Sequence, residues 1–281
     1  MKISVIIPTY NEEDVILDCL ESLKKQSLEN FEIIIVDDGS KDNSKFKIQN
    51  SKLQFKNLKL TLLEQKHKGT GAGRNLGAKH AKGDILVFVD ADMTFDKHFL
   101  KNLVKPIIQG KSKGTFSKDE IVSNWGKPLA RAYNLNEGWE NKKRHPKNYP
   151  DTQKVFRAIL KSEFDRVGGF TPGGYNDDWS LSKKLGYEAS LAEKAIFFHK
   201  NPDNLNEIFN HAKWVGKRSY KLGAIGYMVA LIRSSSPVSL VVGFTKAFIY
   251  GQAAFLIFKI VYDLGVFVGI FSFVFTKKGS K

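Results

Sequence analysis

Two aspartates one residue apart, Asp90 and Asp92, close the apolar run Ile85-Leu86-Val87-Phe88-Val89. Residues i and i+2 of an extended chain point to one side. Both carboxylates can therefore face one ligand, and a pair of hard oxygen donors suits Mg²⁺ or Mn²⁺. A strand followed by a solvated acidic turn gives the same letters, because two carboxylates alone do not define a metal site. Asp37-Asp38-Gly39-Ser40 ends a second apolar run, and Asp177-Asp178 is a third acidic pair. That third pair also suits the first turn of a helix through Leu181 and Leu185 to Gly186, where the helix dipole favours carboxylates. His199 ends Ala195-Ile196-Phe197-Phe198; a lone histidine is more often structural than a ligand.

Lys68-Gly69-Thr70-Gly71-Ala72-Gly73-Arg74-Asn75-Leu76-Gly77-Ala78 reads as a glycine-rich loop entering a helix. Its GxGxxxG spacing is one residue longer than the dinucleotide fingerprint, and Asp90 stands where a ribose-binding acid would be sought. An NAD(P)-dependent dehydrogenase using residues 69–77 is thus a rival reading. Against it, a dinucleotide fold carries its glycines at the first βα turn, and this loop follows three βα-like elements. A non-catalytic membrane-associated scaffold is a further alternative.

The elements that must position these groups start with a strand, Ile3 to Ile7, stopped by Pro8. A helix follows, with Asn11 as N-cap, Glu12, Glu13 and Asp14 in its first turn, and Val15, Ile16, Cys19, Leu20 and Leu23 as its apolar face. Phe31 to Val36 and Leu58 to Leu63 read as strands on either side of a polar segment. Strand and helix alternate four times. This predicts an α/β fold, a doubly wound, mainly parallel sheet with a nucleotide-type ligand at its carboxyl edge. With 281 residues, 42% hydrophobic, the chain can bury a substantial core. The single Cys19 excludes an intramolecular disulfide framework. A net charge of +15 favours anionic partners. Without zinc-ligand spacing or an RNA-binding aromatic motif, and with its basic residues dispersed, the chain gives nucleic acid the lowest rank.

Four segments in order, Ser4 to Glu12, Ile35 to Asp42, Gly73-Arg74-Asn75-Leu76-Gly77 and Asp90-Ala91-Asp92, resemble the successive motifs of family 2 glycosyltransferases with the GT-A fold. The resemblance implies a site for a UDP- or GDP-linked sugar. Pro8, Thr9, Tyr10, Glu12 and Asp37 or Asp38 would surround base and ribose, with Arg74 near the nucleotide, Asp90 and Ala91 near the ribose, and Asp92 on a Mn²⁺ or Mg²⁺ bridging the diphosphate. Phe164 to Phe170 and Tyr175 to Leu181 resemble the family's acceptor half, which implies that Asp178, or its neighbour Asp177, is the catalytic base. The family usually has Glu-Asp where this chain has Asp177-Asp178. His199 falls where the family often places a metal-binding histidine. Trp214-Val215-Gly216-Lys217-Arg218 resembles the basic segment that closes over the diphosphate, without the Gln-x-x-Arg-Trp pattern of the processive synthases. The implied acceptor is a glycan or lipid-linked.

Residues 111–150 hold nine basic residues against four acidic, the composition of a loop region that recognises an acceptor or is merely solvated. Trp125 and Trp139 are its hints of a sugar or lipid platform. Val238 to Phe258 is apolar apart from Lys246 and a few polar residues, long enough for a span, while Leu264 to Phe275 alone is too short, the two runs being joined by Lys259-Ile260-Val261-Tyr262-Asp263. From Leu222 onward there are six basic residues and one acid, Asp263. With Gly251, Gly265 and Gly269 allowing close contact, this reads as a membrane-associated hairpin or a pair of interfacial helices on the cytoplasmic face of the membrane. The alternative is a buried helical pair packing on the catalytic domain or on a second subunit of an oligomer. The expected organisation is a nucleotide-sugar half (1–110), an acceptor half (111–221) and a membrane-associated segment (222–281). The N-terminal apolar run is too short for a signal peptide, so the fold is expected to begin at residue 1.

Overall fold

In the computed structural model, which describes residues 1–54, 59–172, 177–218 and 220–276, the chain divides into two units. The first comprises Met1–Ile121 and Asn148–His199, the second Val122–Lys147 and Lys200–Lys281. In chain order the first unit begins with β1 (Ile3–Thr9), α1 (Ile16–Lys24), β2 (Phe31–Asp37), α2 (Ser44–Gln54), β3 (Lys59–Glu64), α3 (Thr70–His80) and β4 (Ile85–Phe88). It continues with β5 (Met93–Phe95), α4 (Phe99–Ile108), β6 (Gly114–Phe116) and β7 (Glu120–Val122). After α5 (Pro128–Asn136) of the second unit come β8 (Thr152–Gln153), β9 (Ala158–Leu160), α6 (Lys161–Arg166), α7 (Asp177–Leu185), β10 (Ala189–Leu191) and β11 (Phe197–His199).

The main sheet runs β3-β2-β1-β4-β9-β6-β10-β8. Its first four strands are parallel, and β9 enters antiparallel between β4 and β6. A smaller sheet runs β5-β11-β7. Alternation along the strands explains why both faces are covered. Val5, Ile7, Ile33, Ile35 and Val87 pack with Leu20 and Leu23 of α1 and Phe99 and Leu103 of α4. Their neighbours Ile6, Ile34, Leu86 and Phe88 pack on the other side with Ala78 of α3, Phe164 of α6 and Leu181 of α7. The mixed α/β, mostly parallel architecture expected from the sequence is the one observed.

Two local expectations fail for physical reasons. β1 does not stop at Pro8 but continues to Thr9, with Pro8 opposite Val36 of β2. Pairing with β4 ends at Ile6, and a proline without an N–H is tolerated where a neighbouring strand is missing. α1 starts at Ile16 rather than after Asn11. Asn11 is left-handed (φ 56°), its N–H donates to Ser40 Oγ, and its side-chain oxygen accepts from Lys41 N. It clamps the loop after β2 instead of capping a helix.

The second unit holds α5, α8 (Leu205–Gly216), α9 (Gly223–Arg233), α10 (Ser236–Ile249) and α11 (Ala254–Thr276). Its core gathers Tyr133 of α5, Ile208 and Ala212 of α8, and Phe255, Phe258 and Tyr262 of α11. The apolar tail does not break where its polar residues fall. It turns at Gly251 (φ 59°), and α11 then runs unbroken through 259–263, because Lys259 Nζ donates to Asp263 Oδ1 at 2.8 Å within one turn and Ser239 Oγ of α10 donates to Asp263 Oδ2 at 2.6 Å. Among the described residues the one unbroken helix long and apolar enough to span is therefore α11, not the run from Val238 to Phe258, while α9 and α10 reach that length only as a pair bent by 59°.

Candidate active site

The carboxyl ends of β1, β2 and β4 face a cavity of about 210 Å³. From β1 and the loop beyond it come Pro8, Thr9, Tyr10 and Glu12; from after β2 comes Asp38; from after β4 come Asp90, Ala91 and Asp92; His199 enters from β11. Nine of the residues singled out in the sequence thus share one cavity, at the strand edge where such sheets hold ligands.

Each carboxylate has its own partner. Asp38 is buried and accepts from Lys68 N and Gly69 N, each at 2.8 Å, and from Gln65 Nε2, with His67 Nδ1 at 2.9 Å. His67 also stacks against Tyr10, ring centres 4.2 Å apart. Asp37 is turned into its own loop, accepting from Ser40 N. The aspartates after β4 part company: Met93 N bonds back to Asp90 O, so the chain turns rather than staying extended, and the two side chains take different neighbours.

Asp90 lies between two guanidiniums, Arg74 Nη2 at 2.7 Å and Arg157 Nη1 at 3.1 Å. Burial acts to raise its carboxyl, but the two arginines outweigh burial and hold it well below the usual carboxylate range. Arg74, itself buried, also donates to Asp178, the second residue of α7. One guanidinium therefore joins the acid after β4 to the acid opening α7. Asp177 is buried and accepts from Gly71 N at 3.2 Å. Tyr175 and Asn176, in the same motif, lie outside the described residues.

Asp92 Oδ2 stands 2.8 Å from His199 Nε2, and Glu120 Oε1 stands 2.9 Å from His199 Nδ1. Glu120 fixes the ring so that Nε2 faces Asp92, a familiar support for a metal-binding imidazole. Nearby, burial pushes Glu12 up to about 7, and the Asp92 and Asp90 carboxylates add to that push. A carboxylate oxygen and an imidazole nitrogen 2.8 Å apart, in a cavity also lined by Glu12, are of the donor types that fit a divalent cation. Among the described residues no group of three or more His, Cys, Asp or Glu could hold a metal ion. Further donors would have to come from ligand oxygens and water.

The glycines have a packing explanation that displaces the dinucleotide reading. A Cβ on Gly71 would meet Asp177 Oδ2 at 2.6 Å, and one on Gly77 would meet Ile6 Cγ2 at 2.5 Å. These residues let α3 lie against β1 and let Asp177 reach the start of α3. The N–H groups of Lys68, Gly69 and Gly71, which would cradle a pyrophosphate, already serve Asp38 and Asp177.

Lys217 and Arg218 belong to the second unit, directly after α8, with the Arg218 guanidinium 5.5 Å from the Tyr220 ring. Trp125 and Trp139 line a separate cavity of about 390 Å³ in that unit, with Arg131 and Tyr250. Three site residues escaped the sequence reading: Arg157, Glu120 and His67. Arg157 had a usable signal, a single charge inside the apolar run Val155 to Leu160, which must find a partner if buried. Glu120 and His67 had none.

Residues 4–173 match the family model described as glycosyl transferase family 2. A poly(ribitol-phosphate) β-N-acetylglucosaminyltransferase, TarS of Staphylococcus aureus, is 37% identical over 130 residues, 46% of this chain and 22% of that protein. The UDP-Glc:α-D-GlcNAc-diphosphoundecaprenol β-1,3-glucosyltransferase WfgD of Escherichia coli is 30% identical over 123 residues, 43% of this chain and 47% of that one. These matches span between about a fifth and a half of the relatives' own length. Among solved structures, residues 1–349 of S. aureus TarS with UDP-GlcNAc superpose with a TM-score of 0.56 at 19% identity, covering 98% of this chain and 92% of that one. The mannosyltransferase PcManGT of Pyrobaculum calidifontis, with GDP-Man and Mn²⁺, gives 0.61 at 17%, covering 98% and 88%. At such identities the likeness is one of fold.

Proposed function

Because the chain belongs to glycosyl transferase family 2, we propose that it moves a sugar from a UDP- or GDP-linked donor to a membrane-proximal acceptor, a glycan or a lipid-linked sugar, with inversion. The observation that carries this reading is the network Asp90–Arg74–Asp178 beside the Asp92–His199 pair. It supports a reading in which Asp178 serves the acceptor while Asp92 and His199 serve the donor.

Tyr10, Glu12 and Asp38 would hold base and ribose, with Asp90 and Ala91 closing the ribose side. Asp92 and His199 would hold Mn²⁺ or Mg²⁺, with the imidazole favouring Mn²⁺. Bound there, the cation offsets charge on the departing diphosphate. Asp178 accepts the proton of the acceptor hydroxyl as its oxygen bonds to the anomeric carbon and the carbon–phosphate oxygen bond breaks on the opposite face. Arg74 keeps that carboxylate oriented. Lys217 and Arg218 would add positive charge for the diphosphate. WfgD's diphosphoundecaprenol substrate supports a lipid-linked acceptor, and the apolar tail supports membrane association on the cytoplasmic face. Residues 1–110, 111–221 and 222–281 are assigned to donor, acceptor and membrane, respectively.

Thermal-shift measurements with UDP and GDP, each with and without Mn²⁺, and with NAD, test the donor site. Stabilisation by one nucleoside diphosphate that deepens with Mn²⁺ is expected. Stabilisation by NAD alone would refute the reading.

A further inference from the structure

α11 has the length and composition of a span, yet its two sides differ. Phe258 and Tyr262 pack around Tyr133 of α5, and Tyr262 Oη donates to Glu137. Further along, Gly265 and Gly269 lie against α8, where a Cβ on Gly265 would meet Phe209 O at 2.6 Å. From Phe258 to Ile270 this side is covered by polar helices, about 18 Å at 1.5 Å per residue. The other side is bare: Ile257, Ile260, Leu264, Phe271 and Val274 recur at helical spacing and are exposed.

Crossing a hydrocarbon layer of about 30 Å would carry α8 with its partner. α8 presents Asn206 and Asn210 to solvent, with Glu207 and Lys213 half-exposed, and such groups do not face lipid. The neighbouring helices repeat the bare side. Ile225, Met228 and Ile232 are exposed on α9, as are Val241, Phe244 and Phe248 on α10, Phe248 at 89%. Each of these helices is too short to span, and they are bent 59° from one another. The only acid of the tail, Asp263, is buried and paired with Lys259, which leaves Arg233 and Lys246 without a nearby tail acid to offset them.

We propose that α9, α10 and α11 form a one-sided docking surface that lies in the plane of an anionic bilayer, its apolar side in the headgroup–acyl boundary, without crossing it. The proposal rests on the membrane association given above and fixes its mode. α5, α8 and the chain end after α11 then stay on one side of the membrane.

Full-length protein with one epitope tag before Met1 and another after Lys281, in inside-out bacterial vesicles, should lose both tags to an impermeant protease. Protection of the C-terminal tag alone would mean one span, and protection of a third tag inserted at the turn at Gly251 would mean a two-span hairpin; either would overturn the in-plane mode, leaving membrane association intact. Purified full-length protein should co-float with preformed phosphatidylglycerol vesicles and less with phosphatidylcholine ones. Phe248→Asp, at a position 89% exposed, should weaken co-flotation about tenfold or more with the circular dichroism unchanged. No co-flotation of the unaltered chain with either vesicle would overturn membrane association itself. A soluble dimer that Phe248→Asp splits, with flotation unaffected, would assign the surface to a second copy and overturn the proposal.

Discussion

Arg74→Met removes the guanidinium that joins Asp90 to Asp178 and leaves an unbranched side chain at a position only 5% exposed. Two ion pairs are lost, but neither acid is stranded in a dry interior. Asp90 keeps Arg157 at 3.1 Å, and Asp178, 41% exposed, can be hydrated. The cost should therefore fall below the ~3–5 kcal/mol of a broken buried pair, at about 2–3 kcal/mol. Asp90→Asn removes the charge on which both arginines converge and should cost about as much. The two substitutions share one ion pair, so their effects should fail to add by about 1–2 kcal/mol. Urea unfolding of the four proteins in mild detergent measures this coupling. The pH dependence gives its sign. The Asp90 carboxyl sits lower in the folded chain than its ordinary 3.8, so its contribution is complete above that value and drains away as pH falls below it. The gap between the unaltered chain and Arg74→Met should narrow in acid. A coupling under about 0.5 kcal/mol at neutral pH, the additive limit, or a gap that widens in acid would refute the network.

Asp178→Asn should lower turnover on a hydroxyl acceptor by about 10²–10⁴-fold, with nucleoside-diphosphate affinity by calorimetry unchanged; near-normal turnover would remove Asp178 as the base. Glu12 titrates at about 7 when folded against 4.5 ordinarily, so its contribution is full below 4.5 and lost as pH rises through 7. With chelator present, Glu12→Gln should flatten the stability profile across that window, and an identical profile would count against the electronegative cavity. Gly77→Ala gains about 1 kcal/mol of helix propensity. It should still lose stability, because a methyl 2.5 Å from Ile6 Cγ2 overpacks the α3–β1 contact by ~1–3 kcal/mol.

The runs of Ile and Val in β1, β2 and β4 were legible because a strand covered on both faces has no polar side to write. The carboxyl-edge residues followed from where those runs end. What the sequence hid was of another kind. Arg157 reaches Asp90 across 67 residues and Glu120 reaches His199 across 79, and no periodicity encodes such a meeting. Asn11 has the letter of a helix cap and the backbone of a left-handed clamp. The break in the tail was misplaced because Lys259 and Asp263 look like a linker one by one and neutralise each other only when wound into a helix.

Because β9 lies between β4 and β6, the sheet stays open on the ribosome until Leu160, the partner of Ile85, has emerged. Until then β4 offers an apolar edge of the kind that recruits stray strands or chaperones. The step that closes this edge also delivers Arg157, whose carbonyl accepts from Phe88 N while its guanidinium meets Asp90. Nascent chains stalled before that point should be protease-sensitive across β4, and longer ones resistant. The seam that joins β4 to β6 through β9 and the second cation of the site are therefore supplied in one event of synthesis, before β10 extends the sheet.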